Sequence, residues 1–338
     1  MIQVFTGYDA IVPEAWDALV ERSAWATWFQ TREAYLFYSR VPQEMTPFAF
    51  GVEENGVLTG VIAGYITRTQ NAIKQFVTRR AIIIGGALLD EHISDDALAA
   101  LLFATRRELS RKAIYIELRN FNDYSRWKEV FRAQGFDYQP HLNFHIGTTS
   151  VEAVEQHLSK SRKRNIKTAV REGVVSVSQP TIEQVREYYG ILQRLYQTKV
   201  KTPLFSWSFF EQLYNTPNGH FFLAEYQSHI IGGTACVCLP GKAVYEWFVC
   251  GEDGLYEHIF PSSYATYLGI RYAAENGFPL FDMMGAGKPD EAYGVRDFKA
   301  RFGGEQVEHG RFVHLCNPCL YHLGEFAMYI LSRHREYI

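Results

Sequence analysis

Long apolar runs are missing from this chain of 338 residues. No window approaches ~18 consecutive apolar residues, so no segment is expected to span a membrane. The amino end, Met1-Ile2-Gln3-Val4-Phe5-Thr6, lacks the basic and apolar regions of a signal peptide. Cysteine is scarce and odd in number: Cys236, Cys238, Cys250, Cys316 and Cys319, all in the second half. Such a set is a poor disulfide framework and fits a reducing compartment. Together these absences predict a cytoplasmic protein. An excess of one charge is absent too. With a net charge of −3 the chain as a whole is no basic nucleic-acid binder, and any such contact must come from a local patch. There is no low-complexity segment and no long Pro/Gly/Ser linker, nor a P-loop, an HExxH motif or a Ser-His-Asp arrangement.

What is present suffices for two domains with sizeable cores: 47% apolar and 21% charged residues, with aromatics at 15%. That aromatic content suits deep cores or a stacking, sugar-binding surface. The chain also repeats its own pattern. Residues 48–67 read as strand, Asn55-Gly56 turn, strand, a strong hairpin signal, and residues 221–239 repeat it around Gln227-Ser228-His229. An apolar run follows each hairpin, at 81–89 and 243–250. A helix comes next in both halves, at 95–112 behind Ser94 and at 262–275 behind Ser262, with Asn276-Gly277 as its stop. Buried strands at 113–118 and 278–283 then lead into helix-like segments at 124–134 and 293–302. Further helices are expected over 151–173, 181–198 and 207–214, and a last strand over 311–315.

Hairpin, strand, helix, strand, helix is the order of an N-acetyltransferase-like (GNAT) unit. The expected fold is therefore α/β, a mixed sheet flanked by helices, in two tandem acyl-CoA N-acyltransferase-like units. The boundary is placed near 147–150, giving units 1–150 and 151–338, the second with the active site and a carboxyl-terminal helix. A GNAT enzyme using acetyl-CoA carries a Gln/Arg-x-x-Gly-x-Gly/Ala pyrophosphate loop between its fourth strand and the next helix. Here that junction, 251–263, has no such spacing and carries the acids Glu252, Asp253 and Glu257. Ordinary CoA binding is not supported.

The most distinctive stretch is Phe281-Asp282-Met283-Met284-Gly285-Ala286-Gly287 followed by Tyr293-Gly294-Val295-Arg296-Asp297-Phe298-Lys299-Ala300-Arg301-Phe302-Gly303-Gly304. An Asp at a strand end near Gly, then Phe-Lys-x-x-Phe-Gly-Gly, resembles the Fem-type (FemABX) peptidoglycan-bridge aminoacyltransferases and the related BioF2-like acyltransferases. The basic segment from Ser159 to Val174 is similar to a helix of that family, and with the twin-unit layout the resemblance covers most of residues 48–315. It implies an enzyme that moves an activated acyl group onto an amine: aminoacyl-tRNA as donor, a peptidoglycan-precursor peptide as acceptor, and no tightly bound cofactor. Matched by position, Lys299 is the implied cation for the oxyanion or leaving group, placed by Phe298. Asp282 is the implied proton acceptor or orienting group. The alternatives are a solvated helix lysine and a carboxylate that caps the Gly285 turn.

Lys160, Lys163, Arg164, Lys167 and Arg171 recur at helical spacing as one basic stripe, either a phosphate ladder for tRNA or a pyrophosphate-bearing ligand, or a solvated face. The family's long coiled-coil arm is absent, which leaves acyl-CoA open as the donor. Glu246 is the odd polar residue on a candidate central strand among Tyr245, Trp247 and Phe248, lining a substrate channel or paired in the core. Tyr293 joins the substrate-binding candidates. His314, Cys316 and Cys319 lack an evident fourth metal ligand. His141 and His145 read as a surface pair, and Cys236 and Cys238 as core. The tail, 320–338, reads as a docking helix with Leu323, Phe326, Ala327, Ile330 and Leu331 on one side and Arg333, His334 and Arg335 at its end. A peripheral membrane contact is its alternative. Two further functions stay open: an acyl-CoA- or acyl-carrier-dependent N-acyltransferase acting on an amino sugar or amino acid, and a non-catalytic GNAT-like precursor-binding protein.

Overall fold

The structure, a computed structural model, describes residues 1–69, 75, 78–200 and 203–324. Its strands are Ile2–Thr6 (β1), Met45–Glu54 (β2), Val57–Thr67 (β3), Arg80–Gly85 (β4), Leu88–Leu89 (β5), Tyr115–Asn120 (β6), Asp137–Gln139 (β7), Leu142–Gly147 (β8), Val175–Val177 (β9), Gly219–Tyr226 (β10), His229–Leu239 (β11), Ala243–Gly251 (β12), Leu280–Asp282 (β13), Glu305–Glu308 (β14) and Arg311–Leu315 (β15). They form two mixed sheets. One has the order β1-β2-β3-β4-β6-β15-β7, with β5 on β3, and the other β14-β8-β13-β12-β11-β10-β9. Among the described residues each contains a single parallel pair, β4 with β6 and β12 with β13.

The two hairpins form for the same reason. Asn55 and Gly56 both adopt positive φ, as do Gln227 and Ser228. Two consecutive left-handed residues match the twist of the strands they join. Each hairpin also bulges just after its turn: Thr59 on β3 and Ile231 on β11 have no facing partner in the register. The helix Asp95–Leu109 then covers the first sheet with Leu98, Leu101 and Leu102, and its N-cap Ser94 accepts the Ala97 N–H. The helix Pro261–Glu275 covers the second with Tyr264, Leu268 and Ile270 packed among Phe222, Val244 and Phe281. Its first helical residue is Pro261 rather than a residue after Ser262, and Gly277 at φ 72° ends it. These are two GNAT-like units in tandem.

The units are interleaved in sequence. One takes the chain up to Pro140 and again from His309; the other takes His141–Glu308. The expected division into 1–150 and 151–338 is corrected at both joints. β8 precedes residue 150 yet pairs with β13 and β14, and β15 lies beyond it yet pairs with β6 and β7. Strand pairing is a long-range choice, and local pattern does not reveal it. The expected long helix over 151–173 is two helices, Val151–His157 and Lys160–Arg171, because Ser159 starts the second one as its N-cap. The tail expected to dock as a helix lies outside the described residues from 325 on.

In the first unit β4 and β6 stay paired from Arg80–Tyr115 to Gly85–Asn120. Glu117 on β6 is held between two arginines, Arg119 at 3.0 Å and Arg311 on β15. Burial opposes its charge, but the two guanidiniums win and bring the carboxyl down to about 2. The depressed value means that this contribution is complete above about pH 4.5 and drains away as the pH falls toward 2. Glu117→Gln is expected to destabilise the protein by about 3 kcal/mol near pH 7. In denaturant titrations the gap to the parent protein should close as the pH drops below 4.5; a pH-independent gap would contradict the account.

Candidate active site

The corresponding strand pair of the second unit does not stay closed. β12 and β13 pair only at Ala243–Leu280, Val244–Phe281 and Tyr245–Asp282. β12 runs on to Gly251 while β13 ends. Beyond Tyr245 its backbone has β11 on one side and, among the described residues, no strand on the other. The ladder to β11 bulges here as well: Ala235 faces Phe248 and Cys236 faces Glu246, so Trp247 is left over. A bulge beside an unpaired edge re-aims side chains and leaves backbone groups for a ligand.

Three buried charged groups meet at this fork. Glu246 is the first residue of β12 past the last pair, Asp282 is the last residue of β13, and Lys299 comes from the helix Gly294–Ala300. They are 3%, 1% and 6% exposed. Glu246 Oε1 accepts from Thr234 at 3.3 Å, while Oε2 has no partner among the described residues. Burial pushes this carboxyl above its ordinary range, against the pull of the Lys299 charge. Burial pushes the Lys299 amine below its ordinary range, against the charges of Glu246 and Asp282. Lys299 is thus no solvated helix lysine. Its ammonium donates to the carbonyls of Met283 and, at 2.7 Å, Gly285. Two of its three donors are taken up by the turn that ends β13.

That turn is held from every side. Asp282 Oδ1 accepts the Met284 N–H at 2.7 Å and the Asn143 side-chain N–H at 2.8 Å, and Asn143 Oδ1 accepts the Gly285 N–H at 2.8 Å. Met284 sits at φ 54° and Gly285 at 88°. A left-handed methionine is costly and persists because these bonds over-determine it. Asp282 therefore caps the turn. Its Oδ2 lies 3.1 Å from His145 Nε2. His145 was expected as half of a surface pair, but its side chain is only 15% exposed, because β8 inserts it between Asp282 and Glu305. Burial disfavours its charged form, yet the two acids outweigh it and raise its pKa.

The Phe-Lys-x-x-Phe-Gly-Gly block now has a physical account residue by residue. The Phe298 and Phe302 rings lie under one guanidinium, that of Arg162, at 4.2 and 4.5 Å. Lys299 reaches the turn. At Gly303, φ is 81° and an added Cβ would stand 2.0 Å from the His157 carbonyl, while at Gly304 it would stand 2.8 Å from that of His145. Tyr293 precedes this helix, 45% exposed, with its ring against Gly287.

The basic helix Lys160–Arg171 divides its residues cleanly. Arg162, Asn165, Ile166 and Ala169 are buried, and Lys160, Arg164, Lys167 and Arg171 lie exposed on the other side. Lys163 is half-buried and donates to the Gln156 carbonyl, and Arg171 pairs with Glu172 at 2.8 Å. The free face is thus chiefly Lys160, Arg164 and Lys167. Arg162 went unnoticed in the sequence among five neighbouring cations, although its spacing from Asn165, Ile166 and Ala169 marks the inward stripe. Asn143 went unnoticed, and His145 was read as a surface residue, because nothing local ties β8 to β13. His314 is bonded to Gly135 in the first unit, its Nδ1 2.7 Å from the carbonyl.

At the start of the helix Pro261–Glu275, where a GNAT pyrophosphate is held, Asp253 already accepts the Ser262 N–H at 3.1 Å and the Ser262 hydroxyl. A built-in carboxylate occupies the positive end of the helix and repels a phosphate from it. The residues present do not fit a CoA pyrophosphate there.

Residues 220–328, which include this whole site except β8 and the basic helix, match the FemAB family. Among solved structures the chain is similar to FemX, with a TM-score of 0.71, 14% identity and coverage of 95% of this chain and 99% of that one. It is similar to L-PGS from Bacillus licheniformis, with a TM-score of 0.56, 10% identity and coverage of 95% and 97%. It is also similar to a tandem GNAT protein from the clavulanic acid biosynthesis pathway, with 0.52, 9% and coverage of 94% and 99%. At these identities the three likenesses speak for the fold. No curated protein sequence matches the chain.

Asp282→Asn keeps an acceptor for the turn and removes the charge beside His145. The His145 pKa is expected to fall, read from the pH titration of its ring proton resonances; a value that stays put or rises contradicts the pairing. With residues 220–328 matching the FemAB family on a tandem GNAT fold, the chain resembles the Fem-type acyltransferases and is an acyltransferase by that resemblance.

Proposed function

We propose that this protein transfers an activated aminoacyl group from a tRNA ester to an amino group of a peptidoglycan-type cell-envelope precursor. The observation that carries this reading is Lys299: a buried cation, bound through two of its donors to the turn beside the unpaired edge of β12, within the block that matches the FemAB family. The acceptor nitrogen attacks the ester carbonyl carbon, the C–N bond forms, and charge develops on the carbonyl oxygen. The C–O ester bond then breaks and its electron pair leaves with the tRNA 3′ oxygen. The third Lys299 donor stabilises the oxyanion or protonates the leaving oxygen, in a dry setting where such a charge acts strongly. Glu246, with one oxygen unpartnered and its basicity raised by burial, takes the proton that the amine loses. Asp282 and Phe298 position rather than react: the first holds the turn and the second fixes the lysine's helix.

Two features favour a tRNA ester over an acyl-CoA donor. Asp253 stands where a pyrophosphate would bind, and Lys160, Arg164 and Lys167 offer an exposed cationic ladder of the kind a phosphodiester backbone contacts.

Lys299→Ala is expected to lower the rate of transfer by roughly 100- to 1000-fold with acceptor binding retained. The assay follows label from charged tRNA, and in parallel from acyl-CoA, onto an amine acceptor. Unimpaired transfer by the variant removes Lys299 from the chemistry; transfer from acyl-CoA alone rejects the tRNA donor; transfer from neither, with the acceptor still bound, favours a precursor-binding protein. Lys160→Glu, Arg164→Glu and Lys167→Glu combined should raise KM for charged tRNA and flatten its dependence on salt by roughly 0.7–0.9 in the log–log slope per lost phosphate contact. An unchanged slope contradicts the ladder.

A further inference from the structure

We propose that Arg162 is the positioning residue that fixes Lys299 at the fork, an inference that rests on the reading of Lys299 as the transfer cation. Arg162 is 4% exposed, and no carboxylate pairs with it among the described residues. Burial, reinforced by the nearby charge of Arg301 and opposed by Asp253, brings its guanidinium down to about 10. A cation buried without a counter-anion is expensive, and a well-packed apolar side chain fills the same space at lower cost. What the guanidinium supplies instead is geometry.

One arm donates to the Ser263 hydroxyl near the start of the helix Pro261–Glu275, and the other donates to the Phe298 carbonyl at 3.1 Å. The flat of the group lies over the Phe298 and Phe302 rings. Every one of these contacts beyond Ser263 falls on the segment that carries Lys299, and the Phe298 carbonyl belongs to the residue directly before it.

That segment needs an external tie. Gly294–Ala300 is seven residues long, begins at Tyr293 without a side-chain cap, and is too short to be stable alone. Two side chains bind its other flank to the turn: Lys299 itself, and Arg296 through the Ala286 carbonyl at 3.0 Å. Arg162 supplies the opposing hold from the basic helix. The lysine helix is therefore clamped between Arg162 and the turn, and the rigid guanidinium fork sets its position in a way that a lysine's point charge does not. A misplacement of about 1 Å at a catalytic group costs on the order of 100-fold in rate.

Arg162→Met and Arg162→Lys are compared with the parent protein in the full chain. In both, kcat is expected to fall at least about tenfold while KM for donor and acceptor stays within about twofold. The amine of Lys299 should become more reactive toward acetic anhydride, read by peptide mass spectrometry, as it leaves its carbonyl partners. In a Lys299→Ala background, Arg162→Met should add less than about a twofold further loss, because both substitutions remove the same interaction. Thermal unfolding identifies a variant that fails to fold, and Arg162→Lys, which keeps the charge and loses the fork, then carries the test. A kcat within twofold of the parent, unchanged Lys299 labelling, or an equal loss with and without Lys299 overturns the proposal. Parent-like transfer by Lys299→Ala overturns the reading of Lys299 itself, whereas parent-like Arg162 variants beside an impaired Lys299→Ala overturn only the positioning role.

Discussion

Everything distinctive about the second unit follows from where one parallel strand pair parts. β12 and β13 hold together for three residues and then separate, with the bulge at Trp247 two residues past the last pair. Backbone groups freed from a ladder must find other partners, and a turn that replaces a strand must be braced by side chains. The braces are Asp282, Asn143 and Lys299, all buried, all bonded to the turn after Asp282. The structural need to hold the fork open and the chemical capacity to act there therefore reside in the same residues.

The first unit has the same scaffold and no such fork. Its β4 and β6 remain zipped throughout, and the third pair of that ladder contains Glu117 where the third pair of the other contains Asp282. Glu117 is locked between Arg119 and Arg311, which leaves it no freedom to take part in proton transfer. The end of β4 is also filled by its own chain. Gln30 donates to the Gly85 and Gly86 carbonyls at 3.1 and 2.9 Å, and a Cβ at Gly85 would stand 2.2 Å from the Thr27 hydroxyl oxygen. A repeated fold thus yields one closed and one open strand pair, and the difference lies in a handful of side chains.

Buried charge is the currency of the open site. Glu246 and Lys299 each shift toward neutrality under burial and each counteracts that shift in the other. Such opposed shifts suit the proposed reaction, in which an amine loses a proton and an ester oxygen gains one. Asp253 caps the start of the helix that a CoA pyrophosphate would need.

Much of this was legible in residue order. Asn55-Gly56 and the alternation around it determined a hairpin, Ser94 and Gly277 marked helix ends, and the recurrence of five elements implied a duplicated GNAT-like unit, because turns, caps and periodicity are local. The Phe-Lys-x-x-Phe-Gly-Gly block stood out for the same reason: its glycines answer to close backbone approach and its lysine to one turn nearby. Residue order could not reveal which strands pair across long separations. Hence β8 and β15 were assigned to the wrong units, His145 was taken for a surface residue, and Arg162 was lost among exposed cations. Local chemistry sets what each segment becomes. Only the tertiary structure decided which segments lie side by side, and with that which of the charged residues were buried and paired.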